Sequence, residues 1–167
     1  DPRWISYTLS SVGVGYIDLG DMDAAETYLR QALDLAKRSQ GKRRVAITRV
    51  RLAHVALQRG DFEVAHHRLQ TALQTLRDVQ DVSWEGYALS LLGEIDLLRG
   101  KIIVAKESLE AAYQRHQALG EHDYAAIDLS YLALVELALG NEETAWQYSQ
   151  EVITKARAEW PGTACPP

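Results

Sequence analysis

Apolar residues recur along this chain at steps of three and four. Leu29, Ala32, Leu33 and Ala36 do so in one stretch, and Val50, Ala53 and Leu57 in another. That spacing places them on one face of an α-helix. No segment sustains an alternation of period two, and proline is absent from position 3 to position 160, so strands have no support and helices meet no breaker. The pattern predicts eight helices, near 4–19, 22–39, 44–59, 62–78, 83–99, 102–118, 122–139 and 142–159, and an all-α fold.

The helices are punctuated regularly. Gly20-Asp21, Gly60-Asp61, Gly100-Lys101 and Gly140-Asn141 are glycine-led pairs forty residues apart, without insertion or deletion. The same step carries Gly13 to Ala53, Gly93 and Ala133, and Ala25 to Ala65, Ala105 and Ala145. Larger apolar residues follow it too: Val12 to Leu52, Leu92 and Leu132, then Ile17 to Leu57, Leu97 and Leu137. Each unit therefore reads as a helix hairpin. Glycine takes the left-handed position that ends the first helix, and Asp or Asn caps the second, with Lys101 as the exception. Antiparallel helices approach closely only where side chains are short, so Gly13 and Ala25 are expected to touch across the first hairpin. A lone hairpin cannot bury its apolar face, so the four units, about 4–40, 44–80, 84–120 and 124–160, should stack into a single array over 1–160. Residues 161–167, with Pro161, Cys165, Pro166 and Pro167, read as a loosely attached tail.

Gly13, Tyr16, Gly20, Ala25, Leu29, Ala32 and Leu33 follow the small–aromatic–glycine–alanine–apolar–alanine pattern of the tetratricopeptide family. Ala53, Gly60, Phe62, Ala65, Leu69, Ala72 and Leu73 do the same. The chain resembles that family along most of its length. It departs in its period, forty against the usual thirty-four or so, and at Ser149 and Val152, where leucine and alanine are usual. The forty-residue variety is similar to arrays in large bacterial signalling ATPases, transcription regulators and motor light chains. The resemblance implies a right-handed superhelical solenoid of four antiparallel hairpins, in which the first helix of each unit lines a concave groove that takes extended or helical peptides. In this register the groove carries Tyr7, Ser10, Val14 and Ile17, then Ile47, Val50, Arg51, His54 and Gln58. Further along it carries Tyr87, Ser90, Leu91, Glu94 and Leu98, then Ile127, Ser130, Tyr131 and Leu134. The family's clamp for a C-terminal carboxylate uses Lys and Asn at positions that here hold Ser10 and Val14, Val50 and His54, Ser90 and Glu94, which argues against a chaperone-tail clamp. The tyrosines and serines instead suit a neutral or amphipathic segment, or else pack against neighbouring units.

Composition narrows the classes. The chain is 47 % hydrophobic and 25 % charged, which suits a folded domain. Its formal net charge of -5 disfavours a general nucleic-acid binder. Cys165 alone can form neither a disulfide framework nor a thiolate metal site, and a reducing, cytoplasmic setting is expected. No apolar run of about 18 residues or leader pattern appears. The start at Asp1, already helical in pattern, suggests a segment of a larger protein.

Nothing in the sequence reads as catalytic, metal-binding or cofactor-binding. There is no phosphate loop, nucleophile elbow or HExxH, and His66 and His67, adjacent on a helix, point about 100° apart. No convergent buried His–carboxylate pair is expected. The main charge anomaly is the candidate basic patch Lys37, Arg38, Lys42, Arg43 and Arg44, extended by Arg49 and Arg51, with no acid between Lys37 and Arg51. It could meet an anionic partner, or be a solvated turn whose cations favour the end of the second helix; Asp18, Asp21, Asp23 and Glu26 could offset it on stacking. Trp4, Arg44, Trp84 and Tyr124 share a register, and the aromatic members are expected to pack where the first helices begin. Trp146 stands where other units have Glu26, His66 and Lys106, a hint of a docking surface, and Val152, Ile153 and Trp160 leave apolar surface near the C-terminal end, where self-association could occur.

The favoured function is a protein- or peptide-binding scaffold within a larger intracellular regulatory protein, with another domain of its own parent among the candidate partners. The alternative is a small-ligand sensor segment of a signalling ATPase or transcription regulator, which a closed apolar pocket near Tyr87 would favour. Nucleic-acid binding and an unseen hydrolase or transferase site rank lower, and no membrane association is expected.

Overall fold

The computed structural model describes residues 1–159, so Trp160, Cys165 and the expected tail lie outside the described residues. Among those described, eight α-helices and no strands occur: α1 (Pro2–Asp18), α2 (Met22–Arg38), α3 (Lys42–Gln58), α4 (Phe62–Asp78), α5 (Val82–Leu98), α6 (Ile102–Leu119), α7 (His122–Ala138) and α8 (Glu142–Glu159). All eight fall where the apolar spacing predicts them. No helix among the described residues is long and apolar enough to cross a membrane.

The helices begin twenty residues apart because one turn is used throughout. At each junction a residue with positive φ follows the helix: Gly20, Gln40, Gly60, Gln80, Gly100, Gly120 and Gly140. The next N–H donates back to the carbonyl five residues earlier, as in Asp21 to Tyr16 at 2.9 Å, Gly41 to Ala36 at 3.0 Å and Asp61 to Ala56 at 2.8 Å. This is the Schellman closure, which satisfies carbonyls a helix end would otherwise leave bare. The turn inside a hairpin and the turn between hairpins are thus the same structure. Glycine marks only part of the set, since Gln40 and Gln80 hold the left-handed position at φ 55°.

Capping is less uniform than the Asp/Asn pattern suggests. Asp21 accepts from the Ala24 N–H at 3.0 Å, but Asp61 makes no side-chain cap. Asn141 donates to Glu136 Oε2 at 2.7 Å, and Asp81, in a turn between hairpins, accepts from the Trp84 N–H at 3.3 Å.

The chain divides into two compact units, Asp1–Leu91 and the part that begins at Leu92. In the first, Ala25 and Leu29 of α2 pack with Leu52 and Val55 of α3, flanked by Tyr16, Ile17 and Leu33. In the second, Ala105 and Leu109 of α6 pack with Leu129, Leu132 and Val135 of α7, flanked by Tyr113, Tyr148 and Val152. Both cores depend on one close approach. A Cβ on Gly13 would lie 2.7 Å from Leu29 Cγ and 3.3 Å from the Ala25 carbonyl; one on Gly93 would lie 2.4 Å from Leu109 Cγ and 3.3 Å from the Ala105 carbonyl. The fourth unit has Ala133 at this register, where Ser149 replaces the facing leucine, so a larger residue on one helix accompanies a smaller one on the other.

Glycine relieves the left-handed penalty that glutamine bears at positions 40 and 80. Gln40→Gly and Gln80→Gly should each raise unfolding free energy by about 1 kcal/mol, measured by urea denaturation. A loss of stability would show that the glutamine side chains make interactions outweighing the backbone strain.

Candidate functional site

A concavity of about 320 Å³ opens in the first unit where α1, α3 and α5 begin to run side by side. Tyr7 and Ser10 come from α1, Arg43, Arg44, Ile47 and Arg51 from α3, and Trp84 from α5, with Gly41 and Lys42 at the floor of the turn. The forty-residue register explains the meeting: positions 4, 44 and 84, and positions 7 and 47, occupy equivalent places on successive first helices. Four predicted groove residues (Tyr7, Ser10, Ile47, Arg51) therefore share one hollow with three residues of the predicted basic patch.

Arg51 organises the wall. Its Nη1 donates to Ser10 Oγ at 2.5 Å, and its guanidinium carbon lies 5.1 Å from the centroid of the Trp84 ring, within cation–π range. One side chain of α3 is thus held by α1 on one side and by α5 on the other. Arg43 pairs with Asp81 at 2.6 Å, and Arg44 Nη1 donates to the Arg3 carbonyl. Tyr7 stands 57 % exposed at the rim. A second hollow, lined by Trp4, Tyr7 and Arg44, adjoins the first.

The basic patch is two structures rather than one. Lys37 and Arg38 are exposed in the last turn of α2, where the helix dipole favours cations. Lys42, Arg43 and Arg44 occupy the first turn of α3, where the dipole disfavours them, and they face the hollow. Gly41 at the N-cap provides no side-chain acceptor, and no acid stands in that first turn. The acids expected to offset the patch go elsewhere: Asp23 and Glu26 pair with Arg59. Burial pushes the Glu26 carboxyl up, but hydrogen bonds from Arg59 and Arg30 outweigh that and hold it below the usual carboxylate range.

The remaining predicted groove residues separate into kinds. Val50 and Leu91 are core, and Ser90 is buried with its hydroxyl on the Gly86 carbonyl of its own helix at 3.2 Å, so these three present no free groove surface. Val14 is half-buried. His54 Nδ1 lies 3.0 Å from the Tyr87 hydroxyl, and burial lowers its pKa although the Asp18 charge opposes this. Tyr87 also packs edge-on against Trp84, with ring centroids 5.5 Å apart. It supports the Trp84 wall; the hollow nearby is open and cationic, not the closed apolar pocket that a Tyr87 ligand site would require. In the second unit, burial raises the Glu94 pKa, partly opposed by a hydrogen bond from Tyr131, while Ile127, Ser130 and Leu134 are exposed. Trp4 is 71 % exposed and packs only edge-on against Tyr7, with ring centroids 6.4 Å apart. Trp146, at 66 %, stands out on α8 as its register suggested.

Sequence reasoning missed one cluster altogether. His116 Nδ1 sits 2.7 Å from Asp128 Oδ2, joining α6 to α7, and both side chains are fully buried. The expectation that no buried His–carboxylate pair exists was wrong. Its members are twelve residues apart on different helices, and the register was the only signal: Leu76 and Ala88 hold the equivalent places forty residues earlier. Glu121 Oε2 lies 4.0 Å from His116 Nε2, and the Tyr124 ring tilts over the imidazole at 5.2 Å between centroids. Fully enclosed, neither member of the pair can reach a substrate, and the arrangement joins helices. Elsewhere on the same two helices, Glu136 is buried against Lys106 at 2.6 Å and held below the usual carboxylate range by that bond and by Asn141.

The sequence model of the tetratricopeptide repeat matches residues 4–78. That stretch contains the first two hairpins and all of the hollow except Trp84. No curated protein matches the sequence. Solved structures share the tetratricopeptide-like fold over nearly the whole chain. BtubC (BKLC) from P. vanneervenii is 22 % identical with a TM-score of 0.79, covering 100 % of this chain and 68 % of that one. Aspartyl phosphate phosphatase F from Bacillus subtilis is 14 % identical with a TM-score of 0.84, covering 95 % and 42 %. The nearly identical TPR-like repeats of a Podosopora anserina protein described as a kinesin light chain are 16 % identical, with a TM-score of 0.73, covering 96 % and 78 %. The chain thus spans about two thirds of the first structure and under half of the second. At these identities the likeness is one of fold.

The buried pair yields a double-mutant test. Asp128→Ala alone should cost about 3 kcal/mol by leaving His116 buried without its partner. His116→Leu with Asp128→Ala, which copies the Leu76 and Ala88 pairing, should return to within about 1 kcal/mol of wild type. A double variant as unstable as the single one would mean that the pair is not the unit that matters.

Proposed function

We propose that this chain is a protein-interaction scaffold that holds a segment of a partner protein in the hollow between α1, α3 and α5 of its first unit. The single observation carrying the reading is that hollow, because it combines exposed and half-buried aromatic walls with convergent cations on rigid helices. Tetratricopeptide repeats are generally non-catalytic interaction scaffolds, which supports binding rather than bond-making as the activity. The partner is a protein or peptide, with another domain of a larger parent regulator as one candidate, and the setting is cytoplasmic. The exposed Ile127, Ser130 and Leu134 of α7 continue the predicted groove register in the second unit and offer a second contact area.

A small-ligand sensor is the competing reading, favoured by the volume of the hollow, which sits at the low end of the range for ligand pockets. Occupancy would then be relayed to an attached ATPase or DNA-binding domain. The two readings differ in the size of ligand that saturates the site.

Selection of an unbiased peptide library against the full chain, followed by titration of the selected peptides into Tyr7→Ala with Trp84→Ala, tests the proposal. Loss of the two aromatic walls should weaken binding by about tenfold or more, with helicity unchanged by circular dichroism. Selected peptides that bind the variant as well as the wild type would place recognition elsewhere on the protein.

A further inference from the structure

We infer that the hollow at the start of α3 receives an anionic side chain of the bound protein segment, a carboxylate or a phosphorylated hydroxyl, with an apolar or aromatic neighbour seated against Tyr7, Ile47 and Trp84. This rests on the reading of the chain as a protein-binding array and specifies the ligand chemistry of that same site.

The charge arrangement carries the argument. Lys42, Arg43 and Arg44 crowd the first turn of α3, the end of a helix that already bears partial positive charge. The second helices α2 and α4 follow the opposite rule, with Asp21 or Asp61 at the N-cap and Asp23 or Glu63 in the first turn. The helix dipole disfavours three cations there, and they gather at that turn in a chain of net charge -5. An anion in the hollow would relieve both their mutual repulsion and their clash with the helix dipole. The protein supplies part of that relief to Arg43 through Asp81; Lys42 has no ion pair among the described residues, and Arg44 rests on a neutral carbonyl.

The geometry then limits the ligand. Arg51 is held by Ser10 and Trp84, so a planar guanidinium is presented without the entropy cost of ordering a loose side chain. The space of about 320 Å³ suits one or two side chains. A nucleic-acid strand would need a continuing track of cations, whereas Lys37 and Arg38 belong to the end of α2 and do not line the hollow. The site also differs from a clamp for a chain-terminal carboxylate, because Ser10 and Val14 replace the residues such a clamp needs.

The test uses the full chain and labelled peptides of fixed length, with one central position set to Glu, phosphoserine or Gln beside a fixed aromatic residue. The Glu or phosphoserine peptide should bind about tenfold more tightly than the Gln peptide at low salt, and the advantage should shrink several-fold in about 0.5 M salt. Lys42→Gln with Arg44→Gln should abolish the preference, whereas Lys37→Gln with Arg38→Gln should preserve it. Lys42→Gln alone, which removes no ion pair, should reduce the preference about threefold and guards against misfolding of the double variant. The ranking of Glu against phosphoserine identifies the anion. Equal binding of the Gln peptide would overturn the inference while leaving protein binding intact, and absence of binding by every peptide would overturn both. Displacement of the peptide by oligothymidylate or inorganic phosphate at comparable concentration would overturn it in favour of a nucleic acid or a free anion.

Discussion

The close approach of paired helices at Gly13 and Gly93 governs much of this structure. Leu29 Cγ and Leu109 Cγ occupy the space a side chain on those glycines would need, and both leucines are fully buried. Interiors are packed too tightly to absorb extra atoms at such a point without moving backbone. The uniform Schellman turn is the companion constraint. It starts each helix twenty residues after the last, so equivalent residues of successive first helices come to equivalent places.

The hollow is a consequence of that regularity. Nothing in the local sequence of Tyr7, Arg51 or Trp84 marks them as neighbours. They meet because α1, α3 and α5 present the same register, and because Arg51 is long enough to bond Ser10 on one side and face Trp84 on the other. The cations at the start of α3 then acquire a concave setting with aromatic walls. On the proposed reading, stability and recognition pull in opposite directions here: the first turn of α3 carries charges unfavourable to the helix, a departure from local rules of the kind that binding sites show.

Much of the fold was legible because it depends on short-range periodicity. Helix positions followed from three- and four-residue spacing, and the hairpin turns from Gly20, Gly60, Gly100 and Gly140. The turns at Gln40 and Gln80 were harder to see, because glutamine does not announce a left-handed conformation. Around the hollow, register placed Tyr7, Ser10, Ile47 and Arg51 on one face, and composition singled out the cations. That both sets line one hollow, with Trp84 as a wall, required the relative placement of three helices. Val50, Leu91 and Ser90 were misjudged for a related reason: a register assigns a face, but the burial of that face depends on how closely the next helix packs. The His116–Asp128 pair lay beyond pattern reading, since polar residues at core register look like surface until the opposing helix is seen.

The central claim is that close packing at Gly13, rather than glycine's intrinsic helix cost, dominates at that position. Gly15 provides an internal control on the same helix, because a Cβ there would meet nothing within 4 Å. Equilibrium unfolding of Gly13→Ala and Gly15→Ala compares one chemical change at two positions of α1. Gly15→Ala should gain about 0.5–1 kcal/mol from helix propensity, whereas Gly13→Ala should lose stability as Leu29 is displaced. Equal stabilisation by both substitutions would contradict the account.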